Sequence, residues 1–137
     1  MTGYLFGFTV VLTCVGVHYE GLRLCSRLIP RLPVRRLGVA FSIVGALLAH
    51  MLEILIFAAG SALLVALEMG GLDPPHADFA DLVYFSAVSY TSLGFGDVVP
   101  TGAMRELSGL AALTGLVMIA WTASFSFLQM QHLWGER

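Results

Sequence analysis

An all-α membrane fold, with three spanning helices and one short re-entrant helix between the second and third, is predicted by three observations. The chain of 137 residues is 58% hydrophobic and only 12% charged, with mean hydropathy +0.86, more apolar surface than a water-soluble domain of this length can bury. Three apolar runs each reach the roughly 20 residues that cross a bilayer. Between the last two lies an amphipathic stretch too short and too polar to cross, yet too apolar for an exposed loop. The net charge of -2 gives no reason to expect a nucleic acid or an acidic substrate.

The first run, residues 1–19, holds no Asp, Glu, Lys or Arg. It has no basic residue ahead of it and no small-residue cleavage signature after it, so it reads as a retained helix rather than a signal peptide. This peripheral helix covers residues 1–29 and ends where Pro30 and Pro33 stop it. Cys14 and Cys25 both lie on it, about 16 Å apart along the axis, too far to bridge within the chain.

All seven basic residues are arginine, and Arg23, Arg27, Arg31, Arg35 and Arg36 fall within one stretch around the linker 30–36. The positive-inside rule places that linker in the cytoplasm. Because Pro30 and Pro33 interrupt the arginines, and because they flank the apolar spans, anionic lipid headgroups are their expected partners rather than a transmembrane field. The outer helix, 37–69, is long enough to span with tilt, and Gly70, Gly71, Pro74 and Pro75 break it. Asp73, Asp78 and Asp81 mark the segment 70–101 as extracellular. The third helix and its tail, 102–137, are uncharged from Leu107 through Gly135 and return the chain to the cytoplasm. The N-terminus is therefore expected outside and the C-terminus inside.

Within 78–91, Phe79, Leu82, Val83, Phe85 and Val88 recur at helical spacing. The segment that follows, Thr91, Ser92, Leu93, Gly94, Phe95, Gly96 and Asp97, carries two glycines one residue apart. They open torsion regions closed to other residues, so that successive carbonyl oxygens can face one side of the strand. Unpaired carbonyls at membrane depth are tolerated only against protein or a water-filled cavity. One loop cannot enclose an ion, whereas four identical loops around an axis can, which makes a homotetramer the economical assembly. The helix before the loop would aim its negative end at that axis, and Asp97 would ring the outer mouth. A phosphate-binding loop is excluded because a helix, not a strand, precedes the glycines.

Thr91-Ser92-Leu93-Gly94-Phe95-Gly96-Asp97 resembles the Thr-Thr-Val-Gly-Tyr-Gly-Asp signature of the potassium channel superfamily, and the likeness extends from about Leu72 to Phe127. Tyr84-Phe85 match an aromatic pair of its pore helix, Pro100 follows the filter, and Arg105 opens the inner helix. Gly115 falls where these channels often place a hinge. The resemblance implies a small bacterial-type pore-loop subunit in the inner (plasma) membrane. It also implies potassium-selective conduction through rings of filter oxygens from Thr91 to Gly96, with permeant K+ and no cofactor. Ser92 keeps a hydroxyl where threonine is usual. Leu93 lacks the Cβ branch of valine or isoleucine and holds its backbone less stiffly. Val88 stands where some members carry a glutamate, so Asp97 must find another partner, and the Tyr84 hydroxyl of its own or of a neighbouring loop is the candidate.

Glu53, near the middle of the second span, is too costly to ionise in lipid and must face protein or water. His50 shares its helix face, and Thr9 and Thr13 are candidates for similar depth. His50 and Glu53 thus form a candidate proton-sensitive pair, or else a neutral carboxyl hydrogen-bonded between helices. His18 and Glu20 are assigned to the inner end of the first helix, with Glu20 pairing to Arg23 and no metal site expected. Ser108, Thr114, Thr122, Ser124 and Ser126 supply hydroxyls along the last helix. Phe125 and Phe127 are candidates for a gate that works by expelling water. Trp121 and Trp134 read as packing and interface anchors. No nucleophile with a paired base, metal triad or phosphate loop points to an enzyme. A weakly selective cation pore, and a non-conducting interaction protein that keeps the fold, are the alternatives left open.

Overall fold

The computed structural model describes residues 2–31, 35–75 and 78–134. Thr2, Gly3, Arg31, Arg35, Arg36, Leu133 and Trp134 are described by their backbone alone. The lipid contacts expected of Arg31, Arg35 and Arg36, the stop at Pro33, the anchor at Trp134 and the tail at Glu136 and Arg137 therefore lie outside the described residues or side chains.

Three long helices carry the fold: α1 (Thr2–Leu28), α2 (Arg35–Ala66) and α4 (Met104–Trp134). Each contains an uninterrupted stretch long and apolar enough to cross a membrane, over Tyr4–Leu28, Leu37–Ala66 and Met104–His132. The short helix α3 (Phe79–Tyr90) lies between α2 and α4 and packs on both. Helix α1 gives way to a 3-10 turn at Ile29–Arg31, one residue short of the expected stop, and α2 begins two residues early, at Arg35.

On α1 the inward positions are Val10, Cys14, His18, Leu22, Cys25 and Ile29, a spacing of three and four that turns one stripe toward α2 and α4. Leu5, Phe8 and Leu12 on the opposite side are exposed, the face a membrane helix offers to lipid. The core gathers Val10, Cys14, Phe57, Leu64, Leu82, Phe85, Tyr90, Met104, Leu107, Ala111 and Met118, so all four helices contribute to it.

An antiparallel ribbon joins the C-terminal end of α2 to the N-terminal end of α4: β1 (Gly70–Asp73) pairs with β2 (Val99–Gly102), in the register Gly70↔Gly102 and Asp73↔Val99. Gly102 has φ 58 and a Cβ there would collide with the Met69 carbonyl oxygen, so the tight crossing requires glycine. The Thr101 hydroxyl adds bonds to the Gly71 N–H and carbonyl, each 3.1 Å. This ribbon, which hydropathy does not reveal, closes the segment holding α3 and the glycine loop into one bounded unit.

Candidate functional site

Helix α3 begins at Asp78, whose carboxylate accepts from the Ala80 N–H at 3.0 Å in an N-cap. It buries Leu82, Phe85, Ser86 and Tyr90, while Phe79, expected on the apolar face, is half exposed. The helix ends in a close wrap: the N–H groups of Thr91, Ser92 and Leu93 donate to the carbonyls of Ala87, Ser89 and Val88 at 3.0, 2.9 and 3.0 Å.

Beyond this cap the chain takes positive φ at every second residue, 57 at Ser92, 52 at Gly94 and 79 at Gly96. Glycine adopts this at no steric cost, whereas Ser92 sustains about 1–2 kcal/mol of left-handed strain that its surroundings must hold. Alternating the sign of φ turns successive peptide groups to the same side rather than to opposite sides. The carbonyls of Thr91 through Gly96 accept no hydrogen bond among the described residues. Within the single subunit this loop is open: Leu93 and Phe95 are 58% and 65% exposed, and a Cβ at Gly94 or Gly96 would meet nothing within 4 Å. The arrangement offers a run of carbonyl oxygens without hydrogen-bond partners among the described residues, on an exposed loop, which is cation-binding chemistry.

Asp97 closes the loop by accepting from the Tyr84 hydroxyl of the same subunit at 2.7 Å, the candidate partner read from the sequence. A cavity of about 280 Å³ lies behind the loop, lined by Tyr84, Phe85, Val88, Asp97 and Ser108 among others. The hydrogen bond to Asp97 raises the Tyr84 pKa above the ordinary phenol value. The tie is thus complete below the ordinary value of about 10 and is lost only as pH climbs through the raised one. Asp97→Asn is expected to return Tyr84 toward ordinary behaviour, so the alkaline phenolate absorbance step should move to lower pH. An unmoved step would place Tyr84 elsewhere.

Helix α4 meets the base of the loop at Gly115. A Cβ there would overlap the Tyr90 carbonyl oxygen, and α4 passes this point as a continuous helix. Phe125 is partly buried and Phe127 exposed, three and five residues beyond Thr122 along α4.

A second polar constellation lies inside the four-helix contact. His18 Nδ1 is 2.7 Å from Glu53 Oε1, and both residues are wholly buried. The Tyr90 hydroxyl donates to Glu53 Oε2 in a short hydrogen bond and lies 2.9 Å from His50 Nδ1. His50 Nε2 and His18 Nε2 both face Thr122 Oγ1, at 3.0 and 3.3 Å. The His50 ring also stands 3.4 Å from Glu53 through the expected i,i+3 relation. Trp121 packs on the His18 ring with centroids 5.2 Å apart.

One sequence-based expectation is corrected here and another is refined. Thr13, next to Cys14 whose thiol reaches the Glu53 carbonyl, does lie at the depth of Glu53, but Thr9 and Thr13 are exposed, bond carbonyls of their own helix at 2.5 and 2.8 Å and do not join the cluster. His18 is not an arginine-side residue of the inner end but the α1 partner of Glu53, since it continues the Cys14 to Leu22 stripe. That stripe was the available signal for it. Glu20 does pair with Arg23, at 3.1 Å on the surface. The donor atoms of His18, His50 and Glu53 lie within 4.8 Å of one another, compact enough for a metal ion. Each of those atoms already faces another member of the network, so hydrogens close the cluster as it stands.

A family model described as an ion channel matches residues 37–131, spanning α2, α3, the glycine loop and nearly all of α4. No curated protein and no solved structure gives a match.

Proposed function

Since the chain belongs to the ion channel family, within the potassium channel superfamily, we propose that it conducts K+ through a homotetrameric filter built from the loop Thr91 to Gly96. The observation that carries this reading is the run of carbonyls without protein partners on a strand of alternating φ sign. Four such strands around an axis would replace the hydration shell of a cation. Helix α3 contributes the negative end of its dipole behind them. Asp97, held by Tyr84, would concentrate cations at the outer mouth. Helix α4 then lines the inner pathway, with Gly115 as its candidate point of bending and Phe125 or Phe127 as the narrowing that gates by dewetting. Helix α1 lies at the periphery of the assembly, and Arg23 and Arg27, exposed near its inner end, meet anionic lipid. In this reading the membrane is a bacterial inner membrane, with the N-terminus outside and the C-terminus cytoplasmic.

Leu93 favours a second reading, a weakly selective cation pore, because its unbranched Cβ restrains the backbone less than valine would. Reversal potentials of reconstituted protein under opposed K+ and Na+ gradients separate the two. A shift toward the K+ equilibrium potential, with a permeability ratio of at least about tenfold, fits a filter that discriminates by about 1.4 kcal/mol or more. A reversal potential near zero would establish the weakly selective pore, and Leu93→Val should then restore discrimination. Absence of any cation flux would remove conduction altogether.

A further inference from the structure

We propose that His18, His50, Glu53, Tyr90 and Thr122 form a buried site for one proton, whose occupancy controls the base of the filter; the control rests on the conduction reading above, the proton site does not.

Five side-chain junctions hold the cluster: His18 to Glu53, Tyr90 to Glu53, Tyr90 to His50, and Thr122 to each histidine. Each junction needs one hydrogen between its two heavy atoms. With both histidines neutral and Glu53 ionised, the groups supply four, one from each imidazole and one from each hydroxyl. One added proton completes all five and also brings the cluster to zero net charge, the state favoured for groups buried at membrane depth. The five junctions close a ring in which every side chain sits between two partners, so the count has no slack.

Removing that proton leaves a net negative charge and one junction with lone pair facing lone pair. The His18 to Glu53 pair, the tightest imidazole contact at 2.7 Å and with a charged acceptor, retains its hydrogen. The break therefore falls at a hydroxyl, either Tyr90 on α3 or Thr122 on α4. Both choices loosen a pore element from the α1–α2 pair. Tyr90 directly precedes Thr91, and its carbonyl abuts Gly115, so a change at its hydroxyl is passed within one residue to the filter and within one contact to α4. His50, with its side chain 13% exposed, is the member through which a proton can enter. The titratable groups facing the cluster are Cys14 on α1, whose thiol donates to the Glu53 carbonyl at 3.9 Å, and the members themselves. Among the described residues, no arginine or aspartate pairs with it.

The test follows Trp121 fluorescence, quenched by a protonated imidazole against its ring, in a Trp134→Phe background that leaves Trp121 as the single tryptophan. A pH titration in lipid should give a one-proton step in the parent and none in His18→Gln. Flux of K+ into the same vesicles should change across the same pH range by at least about fivefold, the low end of usual coupling between linked sites. Tyr90→Phe removes two junctions and one hydrogen, so the three remaining junctions are closed without an added proton; it should lose the fluorescence step together with the flux change, and a step that persists there would remove Tyr90 from the proton site. A parent lacking the step overturns the proton site. A step without a matching flux change, in protein that conducts, overturns the control. A step in protein that conducts at no pH upholds the proton site and refutes conduction instead. Loss of both the step and the flux change when the pH titration is repeated with Zn2+ present would reassign the cluster to a metal ion.

Discussion

Vesicles carrying Gly94→Asp are expected to lose cation flux by at least about a hundredfold, which corresponds to about 2.7 kcal/mol of added barrier, while the subunit itself stays folded. The two effects separate because of where Gly94 lies. Within one subunit a Cβ at this position meets nothing within 4 Å, so a side chain has room, and at φ 52 aspartate is among the better tolerated residues. Subunit unfolding should therefore shift by no more than about 1–2 kcal/mol. In a tetramer the same substitution brings four carboxylates to one axis, where they repel one another strongly in a poorly screened environment. Any cation that neutralises them is held too tightly to leave, and conduction needs sites weak enough to release. Flux measured beside circular dichroism distinguishes these consequences. Wild-type flux in a folded variant would remove the loop from the conduction path, and a subunit unable to fold would show that the loop is internal structure.

Gly115→Ala is expected to have the opposite profile, damaging packing first and flux as a consequence. The new Cβ would overlap the Tyr90 carbonyl oxygen, and that oxygen belongs to the backbone, which cannot rotate away as a side chain could. Helix α4 must move off α3, at an overpacking cost of about 1–3 kcal/mol per subunit. Thermal survival of the proposed oligomer on a gel should fall, and flux with it, because the displaced carbonyl is the one immediately before the loop proposed as the filter. Gly16→Ala supplies the comparison. It lies exposed on α1, and a methyl group there would meet nothing within 4 Å, so the change should be neutral or gain the roughly 0.5–1 kcal/mol that alanine brings to a helix. Were Gly115 needed only for bending, Gly115→Ala would assemble normally and alter opening alone. Intact thermal survival is thus the result that would assign Gly115 to bending alone.

Much of this architecture could be read along the chain because a bilayer imposes long-range rules on local composition. Apolar runs of spanning length, the arginines between the first two of them, and the glycine pair after an amphipathic stretch each follow from a constraint acting on contiguous residues. The pairing of Asp97 with Tyr84 was also within reach, since both belong to one short unit. The ribbon β1–β2 was not, because four-residue strands rich in glycine carry no alternation of polar and apolar positions to register.

Helix count, the membrane setting and the loop that offers its carbonyls follow from the order of residues, since hydropathy and the backbone freedom of Gly94 and Gly96 act locally. Which face of α1 turns inward depends instead on how four helices share one interior. Their packing sets His18 against Glu53, 35 positions away, brings Thr122 to both histidines, and sends Thr9 and Thr13 to the outside. Buried polar groups must satisfy one another wherever the packing places them, and that requirement can be met only across elements far apart in the chain.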